Sequence, residues 1–199
     1  MAFQTFDVTT DPANGAPRVA LLREKLAEQG LDGFLVPRAD EHQGEYVPPR
    51  AQRLGWLTGF TGSAGAALIL KKQAYIFIDG RYELQVRNQT DSNVFSYESL
   101  VTNPPASWLA ENGKGLTIGF DPWLHTISEA NALREALENQ GGKLVPVAHN
   151  LVDLVWDDQP EAPLTPVTIQ PARFSGHEAE DKIKEMQKAV AVAGASATV

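Results

Sequence analysis

Cysteine is absent from these 199 residues, so neither a disulfide framework nor a thiolate metal site is open to the chain. No apolar run approaches the roughly twenty residues that a membrane-spanning helix needs. Blocks of Lys or Arg are missing too, and the net charge is −8. Phosphates and anionic lipid would be repelled, so neither nucleic acid nor a membrane is an expected partner. The opening stretch MAFQTFDVTTDPANG has neither a basic leader nor an apolar core and is not expected to act as a signal peptide. What remains, 43% hydrophobic and 21% charged residues, is the composition of a globular protein, with a soluble cytoplasmic location as the default expectation.

The stretch from Gly33 to Tyr82 organises the rest. GFLVP, AALIL and AYIFID are short apolar runs bounded by Gly, Pro or Lys and read as buried strands. Between the first two lie acids, a histidine, a tyrosine, three arginines and a tryptophan within about twenty residues, the layout of a recognition loop on a rigid sheet. An ordinary solvated loop over Trp56 and Tyr46 is the plainer alternative.

In chain order, residues 1–15 read as an irregular arm. Pro17 opens a helix carrying Val19, Leu22 and Leu26 at helical spacing, with Gly30 near its end. Residues 66–70 and 74–79 form an antiparallel hairpin around Lys71-Lys72-Gln73. A helix follows from Tyr82, with Tyr82 and Val86, and Leu84 at the margin, turned inward. Asn93 to Tyr97 is the next expected strand, then a short helix from Pro104-Pro105 bearing Trp108 and Leu109, and a strand from Leu116 to Phe120. Ser128 caps or begins a helix through Leu137 with Ile127, Ala130, Leu133 and Leu137 on one stripe; Lys143 to Val147 is the last strand. The sum is an α/β fold: a mixed sheet of about six strands with helices on its faces. LVDLVW (151–156) is expected as a short apolar helix.

The stretch 157–175 is rich in proline and reads as a linker, and 176–199 starts a second, similar unit. Ile183, Met186 and Val190 stand eleven, eight and four residues before Gly194, the same offsets as Val19, Leu22 and Leu26 before Gly30. Residues 195–199 would begin its first strand. On that basis domain I spans 16–156, and the chain is expected to be a piece of a longer protein.

Catalytic chemistry is hard to find. GFTGSAG precedes a strand rather than a helix, which excludes a dinucleotide loop, and Ser63 lacks the setting of a nucleophile elbow. His42, His125, His149 and His177 lie on separate loops or ends, without helical metal-ligand pairs. No catalytic residue and no metal ligand is assigned. Asp40, Glu41, His42 and Glu45 form the best local cluster, pointing to binding or positioning.

Five segments in order, ADEHQGEY, GWLTGFTGSAGAALI, FIDGRYELQ, GFDPWL and LVPVAHNLVDLVWDDQPEAP, resemble the N-terminal region of aminopeptidase P, in the creatinase/prolidase group of metallopeptidases. The resemblance covers residues 16–199. It implies the ribonuclease H-like fold of creatinase N-terminal domains, in a longer cytosolic homodimer. There a C-terminal domain with two divalent metals, usually manganese, removes the N-terminal residue from peptides with proline second. By motif matching, Arg81 of DGRY becomes a candidate to reach the substrate cleft, its guanidinium suited to a carboxylate; a structural ion pair with a nearby acid is the alternative. Asp40, His42, Glu45 and Tyr46 are candidates for the same mouth, or else form a loop held by its own hydrogen bonds. Trp56 and Phe60 are assigned to the core. Other readings are a degenerate peptidase-like scaffold that binds protein partners, or a prolidase or creatinase relative.

Overall fold

The computed structural model describes residues 10–197, in two compact units that divide between Ala162 and Pro163. Most of the expected N-terminal arm therefore lies outside the described residues.

The first unit is built on a six-stranded mixed sheet. Its strands are β1 (Gly33–Pro37), β2 (Gly65–Leu70), β3 (Ala74–Ile78), β4 (Ser96–Ser99), β5 (Thr117–Phe120) and β6 (Lys143–Pro146), in the order β4-β3-β2-β1-β5-β6. β2 runs antiparallel to both β1 and β3, whereas β1–β5, β5–β6 and β3–β4 are parallel. Five strands thus end at one edge, and β2 begins there.

Alternation along the strands sorts side chains to two cores. Phe34, Val36, Ile69 and Ile76 face α1 (Gly15–Glu28), α2 (Arg53–Thr58) and α3 (Glu83–Gln89), meeting Val19, Leu22, Leu26, Leu57 and Val86. Leu35, Leu68, Phe77 and Ile118 face α4 (Pro105–Asn112) and α5 (Ile127–Glu138), meeting Trp108, Leu109, Leu133 and Leu137. Each fully buried Leu, Ile or Phe contributes roughly 1.5–3 kcal/mol of transfer free energy. The sheet is therefore covered by helices on both faces.

Several boundaries differ from the sequence expectation, each for a local reason. The fourth strand starts at Ser96, not Asn93, because the Asp91 carboxylate accepts the Asn93 backbone N–H at 2.8 Å and its side-chain amide at 2.9 Å, closing a turn. Residues 151–156 form turns rather than a helix. Asn150 accepts the Val152 N–H at 3.0 Å while donating to Asp121 at 2.9 Å, anchoring the turn and burying Leu151 and Val152. α5 starts one residue before Ser128: Thr126 is the cap, and its reciprocal bonds with Glu129 complete a capping box. Ile127, on the first turn, is exposed, as is Leu84 in α3.

The short α2 lacked the length to show periodicity. Gly59 ends it at φ 86°, where a side chain would also strike the Gln89 carbonyl. Arg53 of α2 forms a two-pronged pair with Asp153 (2.7 and 2.8 Å), tying the helix to the 150–156 turns. Phe60 is core; Trp56 is half-buried, stacked on Trp156 with centroids 5.2 Å apart and Arg18 over its ring.

The second unit contains one helical turn, α6 (Ala172–Ser175), directly after Pro171, and the helix α7 (Ala179–Val192). Residues 195–197 are irregular where a strand was expected, and 198–199 lie outside the described residues. No helix among the described residues is long and apolar enough to cross a membrane.

Candidate functional site

In an open α/β sheet, ligands bind in the crevice outside the carboxyl ends of the parallel strands. Here that edge gathers the loop after β1, the DGRY turn after β3, residues 100–104 after β4, residues 121–126 after β5, and the TGSA turn leading into β2.

The loop after β1 folds around Asp40. This side chain is 4% exposed, and its Oδ1 accepts the backbone N–H groups of His42 (3.1 Å) and Gly44 (2.8 Å). Between them Gln43 takes a left-handed conformation, φ 53°, uncommon for a residue with a side chain. Arg38 donates to the Glu45 carbonyl at 2.8 Å and closes the loop. So Asp40 turns inward and shapes the loop, while Tyr46, 89% exposed, and the His42 imidazole are presented to solvent.

After β3, Asp79 accepts the Arg81 N–H at 2.9 Å and grips its guanidinium through Nε (3.1 Å) and Nη2 (2.6 Å). That hydrogen bonding holds the Asp79 carboxyl below the usual carboxylate range and raises the arginine's pKa. The Arg81 side chain is still 69% exposed, and its Nη1 makes no hydrogen bond among the described residues. No hydrogen bond or ion pair among the described residues joins Arg81 to the 40–46 loop.

The TGSA turn is fixed from both sides. Gly62 lies so close to the Phe60 ring that a Cβ there would come within 2.2 Å of it. The next residue, Ser63, has its Oγ 2.6 Å from the Tyr82 hydroxyl, which lowers the phenol's pKa. Ser63 is thereby a partner of the DGRY tyrosine, without the imidazole a nucleophile needs.

After β5, Asp121 caps a one-turn helix by accepting the Trp123 N–H, leaving Trp123 exposed. His125 packs edge-on against Phe120 and is largely buried, which pushes its pKa down. His125 has no ligand-spaced neighbour in the sequence to single it out; the Thr126-x-x-Glu129 capping pattern beside it was the available clue that DPWLHT is a strand-to-helix loop. The described residues contain no group of three or more His, Asp or Glu able to hold a metal ion, so the two metals implied by the resemblance do not fit these residues.

Comparison with known proteins places this arrangement. A probable Xaa-Pro aminopeptidase P from Coccidioides posadasii (strain C735) is 39% identical over 187 residues, which cover 92% of this chain and 29% of that protein. Another, from Arthroderma otae, is 36% identical over 97% of this chain and 32% of its own length, so the chain spans about a third of these curated relatives. Among solved structures, an X-prolyl aminopeptidase from Caenorhabditis elegans, described as a cytosolic enzyme with a di-nuclear active site, superposes with a TM-score of 0.81 at 27% identity, covering 90% of this chain and 32% of that one. The N-terminal domain of the cytoplasmic peptidase PepQ from Mycobacterium tuberculosis H37Rv gives 0.54 at 29% identity, covering 70% of this chain and 98% of that domain. The profile of the creatinase/prolidase N-terminal domain matches residues 18–155, and the chain belongs to that family.

Proposed function

We propose that this chain is the non-catalytic N-terminal part of a metal-dependent Xaa-Pro aminopeptidase that removes the N-terminal residue from peptides with proline second. The observation that carries this is the likeness to Xaa-Pro aminopeptidases P along nearly the whole chain but only about a third of their length. In this proposal the two metal ions, manganese by preference, belong to a catalytic domain that these residues do not include, and the chain alone is inactive. The chain works in the cytoplasm, supports a homodimer and forms one wall of the peptide cleft. Residues 176–199 open a second domain of similar build after the linker at 157–175.

The carboxyl edge is the wall we assign. Arg81 keeps part of its guanidinium outward despite Asp79, and Tyr46 and Trp123 stand exposed on neighbouring loops, as aromatic side chains at a binding surface do. His42 and Glu45 lie on the loop that Asp40 shapes. In the full-length enzyme, Arg81→Ala should lower kcat/KM on proline-second peptides at least tenfold, roughly 1.4 kcal/mol of transition-state binding, with no change in thermal unfolding. Unaltered kinetics would remove Arg81 from the cleft, and an intact enzyme that leaves such peptides uncut would overturn the assignment.

A further inference from the structure

His125 lies in the 121–126 loop with its ring edge-on to Phe120 and its Nε2 buried, without a hydrogen-bond partner among the described residues. A neutral imidazole has one nitrogen that carries no proton, so Nε2 can rest there as a bare lone pair. An imidazolium has an N–H on both nitrogens. Its Nε2–H would be a charged donor buried without an acceptor, a state that folded proteins avoid. Burial accordingly lowers the imidazole's pKa, against the opposite pull of Glu129 and Asp121. The ring's place against Phe120 suits only the uncharged form.

The carboxylates that an imidazolium would seek are the ones that hold this loop. Asp121 caps its first turn by accepting the Trp123 N–H at 3.0 Å, and its other oxygen accepts from the Asn150 amide at 2.9 Å. Glu129 accepts the Thr126 N–H at 2.8 Å in the capping box of α5. Room for a rotated ring is at hand, because His125 forms part of the wall of a hollow of about 530 Å³ between the loop after β1 and the first turns of α4 and α5. Glu129 of α5 and Arg38 of the β1 loop are the charged residues on that wall; α4, the TGSA turn and the strands bring none. We propose that His125 is an acid-sensitive latch: once protonated, its ring leaves Phe120 for the hollow, draws Glu129 and Asp121 away from their caps, and frees the 121–126 loop together with Trp123. Because this concerns the loop alone, its failure would leave the peptidase assignment untouched.

In the open loop the imidazole returns to its ordinary value of about 6.5. The closed loop holds it lower, so the closed form is favoured in full above about 6.5 and loses ground as pH falls, by up to about tenfold per pH unit, until the closed-state value is reached. Hydrogen exchange of the 199-residue chain at pH 7 and pH 5, resolved by NMR and corrected for intrinsic rates, reads this opening. Protection at the Trp123, Thr126 and Glu129 amides, whose bonds are the two caps, should fall about fivefold or more. Leu68 and Ile76, in the central hairpin, should keep theirs. His125→Leu should abolish the fall. The ring-proton resonances of His125 in the unaltered chain give an arm that needs no variant to fold: their midpoint should lie below about 6.5 and coincide with that of the Trp123 and Glu129 amide shifts. Protection that does not change with pH, an equal fall in His125→Leu, or a ring midpoint at the ordinary value would overturn the proposal.

Discussion

Asp32 shows how one side chain can hold three strands of this sheet together. It sits at the entrance to β1, accepting from Lys71 after β2 at 2.5 Å through Oδ1 and from the Thr117 N–H at the start of β5 at 2.9 Å through Oδ2. The Lys71 hydrogen bond, then the Thr117 one, draw its pKa below the ordinary carboxylate value. A depressed folded-state pKa contributes stability that is fully present above the unfolded value, near pH 4, and is lost as pH falls through the folded one. Asp32→Asn should therefore lower the unfolding free energy by about 1 kcal/mol at pH 7, allowing for partial solvent screening. The gap to the unaltered chain should shrink as pH drops below about 4. Urea titrations at pH 7 and pH 3 would show it, and a pH-independent gap would assign the effect to packing. At this scale sequence reading worked by composition: it found the 40–46 loop and Arg81 because polar residues were dense there. It had no means to tell that Asp40 turns inward while Tyr46 turns out, because that choice rests on backbone N–H groups that become donors only once Gln43 adopts its left-handed turn.

Helices and strands were legible wherever their period ran long enough to repeat. α1 and the hairpin β2–β3 follow the apolar spacing, and α5 does so beyond its first turn. Their ends were not legible, because an end is set by one side chain rather than by a pattern. Thr126, not Ser128, supplies the cap of α5, and the two positions make opposite predictions. Thr126→Ala removes an oxygen that satisfies a helix N–H and should cost about 1 kcal/mol. Ser128→Ala, at an exposed helical position, should change stability little or improve it slightly, alanine being the better helix former. Urea midpoints at unchanged m-value decide between them, and equal losses at both positions would remove the capping box as the explanation.

For the molecule as a whole, the fold class followed from the sequence, but the strand order did not. The chain leaves β4 at one edge, crosses by α4 and re-enters as β5 on the far side of β1, a choice that no apolar period reports. That crossover places α4 and α5 together on one face and leaves the three-helix core on the other, so the first unit has two complete cores of its own. Both end by Trp156, and no residue from 157 to 197 is buried. The apolar stripe of α7 is only partly covered, with Ile183 and Met186 each more than half exposed. A fourteen-residue helix without tertiary burial is marginal in water. Stability should therefore reside in the first unit. A chain ending at Ala162 keeps the Arg53–Asp153–Gln159 network and the Arg50 bond to Pro160. Its thermal midpoint should lie within about 2 °C of the 199-residue chain, since a loss of 1 kcal/mol would already move a domain of this size by roughly 2–4 °C. A synthetic peptide of residues 163–199 should show little helix by circular dichroism. A drop of many degrees on truncation, or a stably helical peptide, would overturn this assignment of stability to the first unit.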